Sequence, residues 1–349
     1  MRYIPVSQLK EGMVLGQEIH DADGKLLLSK HMKLTRDNIA YLSFLGLPGI
    51  YIDDEFSRDV EIREVIRPEV RRSAVAVVRR LFSRAAEGSI PDSEQEVRRQ
   101  VEEIVGNVLD SKDVMYNLIE LRTYDDYTYF HSVSVGILAG VIGAKCRLDQ
   151  TELDHLVTAG FLHDIGKVFI DPEIINAPRR LTEDERVKMM DHPRVGYEYL
   201  LNNYDFDESI TRAVYEHHEW YNGGGYPRHT TADQLLLISR VLKAADVYDA
   251  MTSRRSYHAP YLPSEVMEYI MGRSGMEFDP AIVQVMTDEL CVYPIGCEVE
   301  LSNGDAAIVT ENHRGFVLRP TVKLIKNGRF LNLAGDRSTW NLTITKLMM

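Results

Sequence analysis

The chain is poor in cysteine and has no long apolar segment. Its 349 residues include three cysteines, Cys146, Cys291 and Cys297, without C-x-x-C spacing, which argues against a disulfide framework and a structural zinc and for a reducing compartment. No apolar run approaches the roughly 18 residues of a membrane span and no signal peptide opens the sequence, so we expect a cytoplasmic protein. The formal net charge of −13 disfavours binding to nucleic-acid polymers or anionic membranes.

Histidine is also scarce, but five of the eleven histidines begin or end segments with helical apolar periodicity. A single histidine on an apolar helix face is usually a core residue. Several histidines together with aspartates instead form a ligand set for zinc, iron, manganese or nickel, and an aspartate can bridge two such ions. The residues concerned are His131, His163, His192, His217 and His218, with Asp164 and Asp246. The sequence therefore predicts a metal centre at which several helices converge.

The segments that carry these residues have helical patterns of their own. Val135, Leu138 and Ile142 recur at the spacing of one helix face. Capping boxes are predicted at residues 151–154 and 182–185, each before a helix that carries one of the histidines.

A glycine-rich loop follows the adjacent histidines. Gly223, Gly224 and Gly225 give a backbone that can turn tightly and approach a ligand closely, although a triple glycine alone is typical of a surface turn. Tyr226 can stack on a nucleotide or hydrogen-bond to it, and Pro227 stiffens the end of the loop. Beside the histidine pair, this loop predicts a ligand site.

Together these motifs resemble the HD superfamily of metal-dependent phosphohydrolases, and within it the HD-GYP branch. His163-Asp164 matches the HD motif, Gly225-Tyr226-Pro227 matches the GYP motif, and the histidine pair precedes the latter at the expected distance. The resemblance covers residues 113–290. It implies an HD-type helical bundle that acts as a cytoplasmic phosphodiesterase, with cyclic di-GMP as its partner.

The resemblance also implies a role for each matching residue. The metal ligands of the family fall on His131, His163, Asp164, His192, His217, His218 and Asp246. Some members place a glutamate four residues before the first histidine and hold three metals. That position is Tyr127 in this chain, so we expect two divalent ions, either iron or manganese.

Residues near the ligands are expected to act on the substrate. Asp164 is expected to bridge the metals, and Lys167 to neutralise the phosphate, although an exposed lysine after a helix end is the plainer interpretation. The family pattern Arg-Pro-Tyr-Arg/Lys is Arg255-Ser256-Tyr257-His258 here, so one guanidinium is kept and a histidine replaces the second cation. The predicted substrate-binding residues are Lys167, Gly225, Tyr226, Asp249, Arg255 and His258.

The expected chemistry follows from the negative charge of a phosphodiester, which resists attack by neutral water. Two metal ions about 3.5–4 Å apart lower the pKa of a bridging water and bind the phosphate oxygens. We expect the hydroxide to attack in line with the departing 3′ oxygen and to give pGpG, with further hydrolysis to GMP left open. The sequence does not identify the group that protonates the leaving oxygen.

The predicted fold is mainly α and multidomain, with small β-containing modules at both ends. A small α+β module is predicted at residues 1–65, a helical linker at 66–112, the catalytic domain at 113–290 and a small β module at 291–349. The first module has a helix predicted over residues 35–45, and Asn303-Gly304 predicts a hairpin in the last. The amphipathic helices of the linker are typical of a bundled linker or a homodimer contact.

Two other classes of function stay open. A non-catalytic cyclic di-GMP receptor would need the pocket but not every metal ligand, and the complete ligand set argues against it. A different HD-type reaction, either nucleotide hydrolysis or oxygen activation by paired irons, would use the same helical scaffold. The GYP motif together with Arg255 favours a dinucleotide over those substrates.

Overall fold

The computed structural model describes residues 1–20, 25–60, 62, 65–89, 94–111, 127–253 and 261–348. The chain divides into two compact units. The first comprises Met1–Val65, Asp113–Tyr127 and Thr287–Met349, and the second comprises Ile66–Lys112 and Thr128–Met286. The modules predicted at the two ends thus fall in one unit, and the predicted linker falls in the unit that contains the histidines. The boundaries between the four predicted domains stay a prediction.

Short antiparallel strands build the described part of the first unit. The strands are β1 Arg2–Pro5, β2 Val14–Leu15, β3 Ile19–His20, β4 Leu26–Leu28, β5 Gly49–Asp53, β6 Glu298–Leu301, β7 Ala306–Glu311, β8 Thr321–Leu324, β9 Phe330–Asn332 and β10 Ile344–Met348. They form sheets in the orders β1-β5-β2, β3-β4 and β10-β6-β7-β8-β9. In the first sheet Arg2 pairs with Ile52 and Ile4 pairs with Ile50.

Local signals in this unit placed its elements correctly. Helix α1, Arg36–Phe44, begins after Thr35, whose side chain accepts a hydrogen bond from the backbone N–H of Asn38. The turn predicted at residues 303–304 joins β6 to β7, which pair antiparallel. The fold class is therefore confirmed as mainly α with small sheet-containing modules.

Helices build the second unit. After α1 the helices of the chain are α2 Pro68–Glu87, α3 Glu94–Asp110, α4 Tyr127–Lys145, α5 Gln150–Leu162, α6 Pro172–Ile175, α7 Glu183–Met189, α8 His192–Asn203, α9 Glu208–Glu216, α10 Leu237–Thr252, α11 Pro263–Gly272 and α12 Pro280–Glu289. Helix α5 packs against α3, α9 and α10, and α8 packs against α9 and a 3-10 helix, Ile165–Phe169. This arrangement directs the ends of several helices towards one interior point.

Two of the helix predictions need correction. The stripe predicted on α4 is buried, but Val133 and Ile137 on its other side are equally buried, so α4 is a central helix that buries more than one face. The capping box of α5 lies two residues before the predicted position, because the side chain of Asp149 accepts from the N–H of Glu152. The box at residues 182–185 is confirmed, but the helix that it caps, α7, ends at Met189, and His192 begins the separate helix α8.

Helices α2 and α3 bury their apolar faces within the chain. Val70, Val78 and Leu81 of α2 and Val101 and Ile104 of α3 are at most 2% exposed. Helix α2 packs against α3, and α3 packs against α5. A homodimer through these helices would therefore use their polar faces. Among the helices that the structure describes, none is both long enough and apolar enough to cross a membrane.

Candidate metal centre

The structure brings all seven predicted ligands together in the second unit. They lie on α4, at the end of α5 and start of the following 3-10 helix, at the start of α8, after α9 and on α10. In that order they are His131, His163, Asp164, His192, His217, His218 and Asp246. His163 and His217 are completely buried, and Asp246 is 6% exposed. Five chain segments therefore contribute to one polar cluster inside an apolar bundle.

Asp164 lies between two groups of histidines. Its Oδ2 is 3.4 Å from Nε2 of His163 and 3.8 Å from Nε2 of His131. Its Oδ1 is 3.4 Å from Nε2 of His192, which in turn is 3.3 Å from Nε2 of His217. One carboxylate thus faces a first half of the cluster, which contains His131 and His163, and a second half, which contains His192 and His217. A ligand shared by two ions would lie in this way.

Asp246 closes the first half of the cluster. Its Oδ1 is 3.2 Å from Nε2 of His131 and 3.7 Å from Nε2 of His163. On the other side, His192, His217 and His218 present ligand atoms within 4.8 Å of one another. Both sets have the nitrogen and oxygen donors that first-row divalent metals prefer.

Two buried atoms of the cluster lack hydrogen bonds. Nε2 of His163 and Oδ1 of Asp164 make none to any residue that the structure describes. Polar atoms in an apolar interior are costly when they have no partner. A bound cation would satisfy both, so the residues fit a metal centre.

Hydrogen bonds orient four of the imidazoles in the same way. In each ring Nδ1 faces an oxygen acceptor, which leaves Nε2 directed into the cluster. The pairs are His163 with the carbonyl of Gly160 at 2.8 Å, His192 with Met189 at 2.7 Å, His217 with Val214 at 2.6 Å, and His131 with the carboxylate of Asp249 at 2.6 Å. Donation from Nδ1 selects the tautomer whose Nε2 lone pair can bind a metal.

Asp249, predicted to bind substrate, lies behind a ligand. It is 4% exposed, and its Oδ2 accepts from Nδ1 of His131 at 2.6 Å and from the hydroxyl of Ser253 at 3.3 Å. A carboxylate in this position orients an imidazole and raises its basicity. Its role in substrate binding stays a prediction.

The pKa values in the second half of the cluster suit metal ligands. Burial, followed by the neighbouring imidazoles, holds the pKa of His217 and of His218 well below its usual range. Burial opposes ionisation of Asp164, but His163 and Lys167 outweigh it and hold its pKa well below the usual range. Burial likewise disfavours the charged form of His131, yet Asp246 and the carboxylate behind the ring raise its pKa to about 9. The second half of the cluster is thus neutral imidazole beside an ionised carboxylate.

Lys167 extends from the 3-10 helix to the shared carboxylate. Its Nζ is 2.5 Å from Oδ2 of Asp164, and its side chain is 27% exposed. The helix can approach α8 closely because residue 166 is glycine. A Cβ on Gly166 would lie 2.0 Å from the backbone oxygen of His192. This contact between backbones brings Asp164 and His192 together.

The glycine-rich loop, defined here as the Gly loop of residues 219–230, folds back over the histidine pair. The ring of Tyr226 stacks on that of His218, with a centroid separation of 4.7 Å and an interplanar angle of 24°. The backbone N–H of Tyr226 donates to the carbonyl of His218. A Cβ on Gly225 would lie 2.3 Å from the backbone nitrogen of Trp220. Gly225 is thus required by the close approach of the loop's own backbone, in addition to the tight turn and the approach of a ligand that the sequence predicts.

Two glutamates beside the histidine pair were missed by the sequence reasoning. Glu219 is buried and accepts from the backbone N–H groups of Arg228 at 2.6 Å and Thr230 at 3.1 Å. Glu216 is buried and accepts from the side chains of Arg212 and Arg228, each at 2.6 Å. The sequence signal that could have identified them is a glutamate on each side of the histidine pair. These carboxylates hold the second half of the Gly loop against α9.

Some predicted residues lie outside the described part of the chain. Arg255 and His258 belong to residues 254–260, which the structure does not describe, and the side chain of Tyr127 is likewise outside it. Their predicted roles are therefore carried forward as predictions.

Known proteins are similar to this chain in sequence and in fold. Residues 113–282 match the family model described as "HD domain". A cyclic di-GMP phosphodiesterase of Pseudomonas aeruginosa is 31% identical over 273 residues, which is 76% of this chain and 66% of that protein. A 3'3'-cGAMP-specific phosphodiesterase of Vibrio cholerae is 30% identical over 182 residues, 51% of this chain and 34% of that protein. The chain thus spans about a third to two thirds of the length of these relatives.

A solved structure shares the architecture. An HDG"Y"P protein from Bdellovibrio bacteriovorus superimposes with a TM-score of 0.51 at 14% identity, and the match covers 81% of this chain and 97% of that one. At this identity the similarity concerns the fold alone. The family match covers the histidine cluster and the motifs on residues 163–164 and 225–227. The chain belongs to the HD domain family, in its HD-GYP branch.

Proposed function

We propose that the chain is a metal-dependent phosphodiesterase that hydrolyses cyclic di-GMP to pGpG. The observation that carries this proposal is the position of Asp164, a buried carboxylate shared by two groups of histidines, one oxygen of which makes no hydrogen bond to any described residue. The name of the Pseudomonas aeruginosa relative supports the choice of substrate.

The metal content that we propose is two divalent ions per chain, iron or manganese. One ion would be held by His131, His163, Asp164 and Asp246, and the other by Asp164, His192, His217 and His218. Bound metals would supply a nucleophile at neutral pH and charge neutralisation for the phosphate. Iron and manganese suit a set of imidazoles and carboxylates without thiolates.

The chain's own residues complete the site. Lys167 carries a partly exposed ammonium beside the shared carboxylate, and we assign to it the neutralisation of a substrate phosphate. Tyr226, whose ring stacks on the proposed metal ligand His218, and Gly225 are the residues of the Gly loop that we expect to contact the nucleotide. Arg255 and His258 supply the remaining positive charge, and Asp249 holds His131.

The proposed function is tested by metal analysis and turnover. Protein purified anaerobically should contain two iron or manganese ions per chain and should convert cyclic di-GMP to pGpG, with chelation abolishing the rate. Assay of pGpG as a substrate decides whether hydrolysis continues to GMP. Tight binding of cyclic di-GMP without turnover by the fully loaded protein would instead support the receptor alternative.

A second substrate is favoured by one comparison. The Vibrio cholerae relative is named as specific for 3'3'-cGAMP, which differs from cyclic di-GMP in one base. The two cyclic dinucleotides should therefore be compared by kcat/KM on the same preparation. We expect cyclic di-GMP to have the larger value, and a larger value for 3'3'-cGAMP would reassign the substrate.

Two further predictions from the sequence concern the assembly of the protein and its location in the cell. A homodimer through residues 66–112 is to be tested by light scattering of the purified protein, and a cytoplasmic location by fractionation of cells that express it. Neither the fold nor the comparisons decide these points.

A further inference from the structure

A short segment between α11 and α12 supports the Gly loop from outside. This segment, residues 276–279, offers two backbone carbonyls to the first half of the loop. The N–H of Asn222 donates to the carbonyl of Met276 at 3.0 Å, and the N–H of Tyr221 donates to that of Glu277 at 3.2 Å. The loop is therefore held on this side by residues more than fifty positions later in the chain.

The side chain of Glu277 links the same segment to α10. Its Oε1 is 3.0 Å from Nζ of Lys243, and its Oε2 accepts from the hydroxyl of Tyr269 at 2.9 Å. The two charged side chains are only 8% and 6% exposed. Because Lys243 lies one helical turn before Asp246, the ion pair connects the Gly loop to the helix that carries a predicted metal ligand.

Breaking such a pair has a defined consequence. Removing one partner leaves an uncompensated charge in a site that excludes water, whereas replacing both by neutral groups does not. The neighbouring chain must then move until the remaining charge reaches solvent. Here the segment that would move is residues 276–279, which accepts a hydrogen bond from the backbone N–H of Tyr221.

We propose that Glu277 is a positioning residue that sets the place of the Gly loop relative to α10. It acts through its backbone bond to Tyr221 and its buried ion pair with Lys243, and it does not touch the substrate. This inference rests on the proposed function, in which Gly225 and Tyr226 of that loop meet the cyclic dinucleotide.

The chain offers a matched control on the same two elements. Arg240, one turn before Lys243 on α10, forms an ion pair with Asp279 of the same segment. Asp279 also accepts from the N–H of Ala281 at 2.8 Å, so it holds the start of α12. The described hydrogen bonds from the segment to the Gly loop come from Met276 and Glu277 instead. Breaking the control pair should lower stability without moving the loop.

A double-mutant cycle tests the inference on the full chain loaded with metal. Glu277→Gln and Lys243→Met should each raise KM for cyclic di-GMP roughly 10- to 100-fold, the range expected when one hydrogen-bonding contact to the substrate is lost. The kcat should change little, and the KM of the double variant should return most of the way to the wild-type value because no buried charge is left unpaired. Asp279→Asn should lower Tm comparably and keep the wild-type KM.

Three outcomes would overturn the inference. They are a wild-type KM in both single variants despite a lower Tm, an equal rise of KM in Asp279→Asn, and additive losses without recovery in the double variant. The first would make the ion pair merely structural, and the second would assign the effect to the whole segment. The third would show that the two charges act independently.

A readout without catalysis separates this inference from the proposed function. The chain has two tryptophans, and Trp220 begins the Gly loop. In a Trp340→Phe background, acrylamide should quench the remaining tryptophan more strongly in Glu277→Gln than in Asp279→Asn. Equal quenching would refute the positioning role. Absence of cyclic di-GMP turnover in the wild type, together with the expected quenching, would refute the proposed substrate alone.

Discussion

Asp249 has two candidate roles, contact with the substrate and orientation of His131, and its replacement distinguishes them. The sequence predicts contact with substrate, whereas the structure shows a 2.6 Å hydrogen bond from Nδ1 of His131. A hydrogen bond to a charged group contributes about 1.5–3 kcal/mol, against about 1 kcal/mol for a neutral one. Asp249→Asn should therefore weaken metal binding only about fivefold, and Asp249→Ala about 10- to 100-fold, the usual effect of losing the carboxylate behind a ligand.

The assay measures metal affinity and activity separately. Manganese affinity would be obtained by competition with a chelator, and kcat/KM would be measured at limiting and at saturating manganese. If Asp249 orients His131, the activity of Asp249→Ala should recover as metal is raised. Ser253→Ala, which removes the 3.3 Å bond to the same carboxylate, should have a smaller effect of the same kind.

One result would refute the reasoning. Unchanged manganese affinity in Asp249→Ala, with a loss of kcat/KM that saturating metal does not restore, would place this carboxylate on the substrate. The interpretation from sequence would then be right, and the hydrogen bond to His131 would be incidental to metal binding.

Four further predictions follow from the same structure. Asp164→Asn should lose metal and lower kcat/KM by at least about 10²-fold, and full metal content with full activity would remove it from the centre. Elemental analysis should find two ions per chain, because Tyr127 replaces the carboxylate of a third site; three ions would show that another residue compensates. Gly225→Ala should cost about 1–3 kcal/mol of stability, since its Cβ would lie 2.3 Å from the nitrogen of Trp220, and an unchanged Tm would contradict this contact. Burial raises the pKa of the Cys291 thiol to about 12, so at about pH 8 it stays protonated and should react with a disulfide reagent only as the protein unfolds; rapid reaction of the native protein would contradict its burial.

Some helix signals were sufficient in the sequence and others were ambiguous. The capping box at residues 182–185 depends on neighbours within one turn, and it was placed correctly. Near α5, Asp149 and Thr151 are both good N-caps, and the helix begins after Asp149, whose capping box is completed by Glu152 three residues later. The stripe predicted on α4 described one buried face only. A helix surrounded by other helices buries more than one face, and the positions of Val135, Leu138 and Ile142 do not indicate this.

The sequence by itself determined which residues would meet in the cluster. Histidines and aspartates at helix ends, with the motifs at residues 163–164 and 225–227, were sufficient to predict the family, the fold class and the set of residues that meet. These properties depend on residue type and on short spacing, which a sequence displays directly. The structure then placed the seven predicted ligands in overlapping groups, and within each group the ligand atoms lie within 4.8 Å of one another.

Only the tertiary structure decided how the centre is supported. The carboxylate behind His131 comes from 118 residues later, and the segment that holds Tyr221 comes from beyond α11. Gly166 and Gly225 proved necessary because backbones approach each other there, not because a turn or a ligand demanded them. Such contacts depend on which helix faces meet in three dimensions, and neither periodicity nor motif spacing encodes that choice.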